Sequence, residues 1–161
     1  MNKGTLNILF FAFSILLFGF SSNPLPVGND LKTAEKTFLI VNKYREKKGL
    51  NPLKNIPYME ELAREHSLKM ARGVRAFGHR GWEERADLIL DNIEVEMVAE
   101  NVGFNKGYDD AANQILAGWI KSRTHKDNIL NEEFDITGVG VSQADDGTVY
   151  FTQIFASYWE E

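Results

Sequence analysis

The sequence predicts an α+β fold in which helices cover both faces of a sheet, and three observations carry that prediction. Apolar residues recur at helical spacing through the first two thirds of the chain, and the pattern then switches to period two in FDITGVGVS and TVYFTQIFA. The second of these stretches is apolar on both sides, with Tyr150, Ile154 and Ala156 facing one way and Val149, Phe151 and Phe155 the other. A strand without a polar face must be covered twice, so helices flank the sheet.

The chain has 161 residues, 43% hydrophobic and 25% charged, which fits one globular domain and excludes a disordered or collagenous chain. Its start is unusual. After Lys3, the run from Ile8 to Phe20 is interrupted only by Ser14 and Gly19, and Gly19 and Ser21 supply small residues behind it. That order predicts a secretory signal over residues 1–22, because the run is shorter than the ~20 residues a bilayer-spanning helix needs. A retained signal-anchor is the alternative. With no cysteine, lipid anchoring, thiol catalysis and thiolate zinc sites are excluded.

Residues 23–30, NPLPVGND, read as a linker, and residues 31–161 as the domain. Leu31, Ala34, Phe38 and Val41 make a helical stripe that Gly49 ends. Pro57 suits the first turn of a second helix, whose face holds Met59, Leu62, Ala63, His66 and Met70 before Gly73. A third helix is expected over Trp82 to Leu90. VEMVAENVG is a candidate strand, and a fourth helix from Tyr108 to Arg123 carries Ala112, Ile115, Leu116 and Trp119 on one stripe. Thr124 to Asp127 has capping-box spacing for a short further turn. Asp146-Gly147, between the last two strands, is a hairpin signal. Gly138 and Gly140 leave one face of the first of those strands bare, which lets a helix approach closely.

Without residues 1–22 the chain has 17 Lys and Arg (18 less Lys3) against 23 Asp and Glu, a net charge of −6. An acidic body with no basic stripe argues against nucleic acid or an anionic membrane as partner. Three histidines are candidates for chemistry. His66 lies on the apolar face of the second helix and reads as a packing residue. His79, in the glycine-flanked FGHRG, and His125, after the fourth helix, sit at element boundaries where loops converge on sites. Neutral imidazoles and a carboxylate make a common zinc set, although 46 positions separate the two and HExxH is absent. Glu100, between Ala99 and Asn101, is either buried with a partner or faces solvent at a strand end. Ser122 precedes His125 by three positions without a GxSxG elbow, so a serine nucleophile is not supported.

FLIVNKYREKKGLNPL, LAREHSLKMA, FGHRG, AENVG, the run from Trp119 through Ser122 to His125 with KDNIL, and GVGVS with YFTQIFA, in that order, resemble the blocks of the CAP superfamily. That superfamily comprises the cysteine-rich secretory proteins, antigen 5 and pathogenesis-related-1 proteins, and its bacterial, disulfide-free members look most similar. The resemblance implies a three-layer α-β-α sandwich with a central antiparallel sheet. It also implies a cleft of two histidines and two glutamates able to take zinc or another divalent cation. Those positions fall on His79, Glu100 and His125, while the second glutamate's place is held by Ser122. Asn101 and Asn128 belong to the same blocks and are expected to support the cleft or cap turns. Glu84 is a substitute acid only by its nearness to His79, and Gln153 could line the cleft.

Three functions follow as expectations. One is a secreted or periplasmic binding module whose cleft holds a divalent cation or a lipid-like ligand and whose partner is an extracellular protein. Another is a metal-dependent hydrolase with Glu100 as ligand or base. The third is a structural module in which the histidines only hydrogen-bond to Glu100.

Overall fold

A computed structural model describes residues 27–158. The segment read as a signal, and residues 23–26 of the linker, lie outside the described residues.

The element order is α1 (Val27–Glu46), β1 (Lys54–Asn55), α2 (Pro57–Ala71), α3 (Trp82–Asn92), β2 (Val95–Lys106), α4 (Ala111–Lys121), α5 (Arg123–Leu130), β3 (Ile136–Gln143) and β4 (Thr148–Tyr158). Helix α1 begins within the stretch read as linker, so residues 27–30 form its first turn. It ends in a Schellman motif: the Leu50 N–H donates to the Arg45 carbonyl at 3.1 Å and the Gly49 N–H to Glu46 at 3.0 Å. Gly49, at φ 82°, supplies the left-handed residue that this motif needs. The capping box expected at Thr124 does not form. The N-cap of helix α5 lies two residues earlier, at Ser122, and makes no side-chain capping bond.

The strands form one sheet in the order β1-β3-β4-β2. Its three long strands are antiparallel, and β1, too short to leave a sequence signal, adds a two-residue parallel pairing to β3. Among the described residues no helix is long and apolar enough to cross a membrane.

Helices α1, α4 and α5 cover one face. Val41, Ile115, Trp119 and Ile129 pack there on Val139, Val141, Phe151 and Phe155. Helices α2 and α3 cover the other, with Met59, Leu62, Ala63 and Ile89 against Ile136, Ile154 and Ala156. The alternation along β4 divides its side chains between the two cores, as its sequence requires. Gly138 and Gly140 set the α2 distance: a Cβ at Gly138 would overlap the backbone at Met59 and Glu60, and one at Gly140 the backbone at Ala63 and Arg64. Buried Arg45 ties α1 to the α5 end, its guanidinium donating to the carbonyls of Asn51 (2.9 Å), Ile129 (2.9 Å), Asn131 (2.7 Å) and Phe134 (3.1 Å).

Because β2 is an edge strand, groups from both helical layers reach around it. Glu100 lies opposite Ile154 and Asn101 opposite Gln153, so these neighbours point to opposite faces of the same edge.

Candidate functional site

Glu100 faces the α2–α3 layer with a side chain only 1% exposed. Both its oxygens are engaged by Arg85 of α3, whose Nη2 lies 2.6 Å from Oε2 and 2.9 Å from Oε1 and whose Nε lies 2.9 Å from Oε2. Oε1 also meets His79 Nδ1 at 2.9 Å. An ionised carboxylate only accepts, so Nδ1 of the half-exposed ring carries a proton, which in the neutral tautomer leaves the lone pair on Nε2.

The loop that carries His79 is held from two directions. Arg85 Nη1 donates to the carbonyls of Arg80 (3.2 Å) and Gly81 (3.0 Å), and His66 Nε2–H donates to the Gly78 carbonyl at 2.8 Å. Gly81 caps α3 at φ 75°, under the Arg75 guanidinium, where a Cβ would collide. His66 is buried at 1%, as its place on the α2 stripe implies; burial and then the Arg85 charge push its pKa below the ordinary value near 6.5.

Asn101 faces the other layer. Its Nδ2 donates to the His125 carbonyl at 2.9 Å, and Asn128 Nδ2 donates to Asn101 Oδ1 at 2.9 Å. These two amides therefore fasten α5 to β2 and fix the backbone of His125. The adjacent pair Glu100-Asn101 thus holds both histidines, one from each side of the edge. Burial is the main cause that lowers the His125 pKa below its ordinary value, and a proton on His79 would act in the same direction.

Other expected residues take different places. Ser122 joins α4 to α5, its N–H donating to the carbonyls of Gly118 (3.3 Å) and Trp119 (3.2 Å). Glu84 is exposed and pairs with Arg75 at 3.4 Å. Gln153 does not line the cleft: it is fully buried and donates to Thr137 Oγ1 at 3.1 Å. Trp119 is core. Among the described residues no group of three His, Asp or Glu side chains is arranged to hold a metal ion. Glu100, placed in that set by resemblance, has its oxygens committed to Arg85 and His79. Arg85 itself escapes sequence reasoning, though it shares a helical stripe with Trp82, Ala86 and Ile89, an unusual place for a cation.

The family model of the cysteine-rich secretory proteins, CAP, matches residues 39–155. The chain belongs to this family. The CAP domain is 29% identical over 131 residues to YlbC, described as an uncharacterised membrane protein of Bacillus subtilis strain 168, covering 79% of this chain and 35% of that one. It superimposes on the crystal structure of a cysteine-rich secretory protein from Staphylococcus aureus with a TM-score of 0.64 and 24% identity, covering 81% of this chain and 40% of that one. An extracellular protein containing an SCP domain from Bacillus anthracis gives a TM-score of 0.63 at 24% identity, covering 80% and 41%. The chain thus spans about two fifths or less of these relatives' length, and what the CAP domain shares with the two solved structures is the fold.

Proposed function

We propose that this CAP domain is an exported binding module that captures a divalent transition cation, such as zinc, through His79 and His125, without catalysis. The relay from Arg85 through Glu100 to His79 carries the reading. A carboxylate on the far nitrogen of a metal-binding imidazole fixes its tautomer and raises its basicity, which is the arrangement of metal-bound histidines generally. His125, kept neutral by burial, supplies a second nitrogen.

The donor set of this reading is two imidazoles completed by water, because among the described residues no three such side chains are grouped to hold a metal ion. Glu100 is consumed by Arg85, and Ser122 stands where the family resemblance implies the second acid. Neither Glu100 nor position 122 then offers a free carboxylate to manage protons, so binding is favoured over hydrolysis. The apolar run after Lys3 and the secretory and extracellular descriptions of the two bacterial relatives support export.

A ligand bound only by the folded state raises stability by about 2.7 kcal/mol at one hundred times its Kd. Zinc is expected to raise the thermal midpoint of the wild type relative to chelator and to leave His79→Ala and His125→Ala unmoved. An equal rise in all three proteins, or none in the wild type, would remove the reading.

A further inference from the structure

The sheet has a second edge, on the far side from the histidine cleft. There β1 covers β3 for two residues only, Lys54 opposite Ile136 and Asn55 opposite Thr137. The pairing stops because α2 begins at Pro57. The next rung would offer the Ile56 carbonyl to the Val139 N–H, but that carbonyl accepts the Glu60 N–H at 3.0 Å instead.

Backbone groups alternate sides along a strand, so Val139 and Val141 present their N–H and C=O outward, as Thr137 does to β1. Further along, the outward N–H of Gln143 finds Asp30 Oδ2 at 3.4 Å. The outward groups of Val139 and Val141 find no partner among the described residues, although both residues are 2% exposed. Buried backbone groups are almost always paired in native proteins.

Val139 borders a cleft of about 390 Å³ between α1 and α2, with Leu31, Ala34 and Phe38 on its apolar walls and Glu35 and Glu60 beside them, and Val141 lines a small pocket that shares Leu31, Ala34, Glu60 and Val139 with it. Among the described residues neither acid pairs with a cation. We infer that this edge is a strand-addition site for an extended segment of a partner protein carrying Lys or Arg between apolar residues. The segment continues the line of β1, bonds through its backbone to Val139 and Val141, and sends alternate side chains to the apolar walls and the two carboxylates. This goes beyond the proposed cation site and does not depend on it.

The test titrates two capped pentapeptides, one alternating valine with lysine and the other valine with glutamate, while the Val139 and Val141 amides are followed by NMR. The lysine peptide is expected to shift both amides and slow their hydrogen exchange, and to bind at least tenfold more weakly to Glu35→Lys and Glu60→Lys. Glu35 is exposed and Glu35→Lys disturbs no described contact, so that arm does not depend on a folding defect. Unchanged amides at millimolar peptide, equal binding of the two peptides, or protection of both amides in the free protein or in a concentration-dependent dimer would each overturn the inference.

Discussion

Arg85 and Glu100 form a buried ion pair, Nη2 to Oε2 at 2.6 Å, between side chains 8% and 1% exposed. The pair joins α3 to the edge strand, and through His79 and the carbonyls of Arg80 and Gly81 it also shapes the cleft loop. Removing one partner of such a pair leaves a buried charge uncompensated, which costs about 3–5 kcal/mol. Arg85→Leu is expected to lose that much in chemical denaturation at pH 7. Arg85→Leu with Glu100→Leu should lose less than the sum of the two single changes, because no charge is then left alone. Strict additivity would show that the pair is not coupled.

The two strand glycines make a sharper steric prediction. Neither has a left-handed φ, so only the proximity of α2 forbids a side chain. Gly138→Ala and Gly140→Ala should each destabilise by about 1–3 kcal/mol or more, as overpacking does. Gly118, inside α4 with nothing within 4 Å of its missing Cβ, should respond oppositely: Gly118→Ala is expected to stabilise by about 0.5–1 kcal/mol. Urea midpoints of the three variants measure both signs.

Local patterns carried much of the architecture. The two apolar faces of β4 imply the three layers, the bare face at Gly138 and Gly140 implies the close helix, and the His66 stripe implies its burial. What could not be read are relationships made by the edge strand. Arg85 meets Glu100 across 15 positions with no motif between them, and its neighbours Glu83 and Glu84 make its stretch look like an exposed face. Likewise β1 owes its existence to β3, since Lys54 and Asn55 have no strand preference of their own. Glu100 had two open readings, and its partner decides between them.

His66 gives the stability a pH dependence. Burial holds its folded pKa below the ordinary value near 6.5, so the unfolded chain takes up its proton first as pH falls. Its contribution is therefore complete above about pH 6.5 and declines as pH drops from there toward the folded pKa, with His125 acting in the same direction. His66→Gln keeps a donor in the place of Nε2 for the Gly78 carbonyl but removes the titration. Unfolding free energies between pH 7.5 and 5 should fall less steeply in His66→Gln than in the wild type. Parallel profiles would mean that the proton uptake lies elsewhere.

Ser122 offers a gain-of-function test of the cation reading. It is the N-cap of α5, and His125 follows three positions later, a spacing that puts both on one side of the first helical turn. A carboxylate there adds an oxygen donor beside the second imidazole, and its charge suits a helix N-terminus, so little stability should be lost. Ser122→Glu is accordingly expected to tighten zinc binding by tenfold or more in calorimetry, with at most a small change in the metal-free unfolding midpoint. The gain should disappear in Ser122→Glu combined with His125→Ala, because an added carboxylate cannot replace the ring that positions the ion. If Ser122→Glu left zinc binding unchanged while folding normally, position 122 would not face the bound cation and the two-imidazole geometry would have to be abandoned.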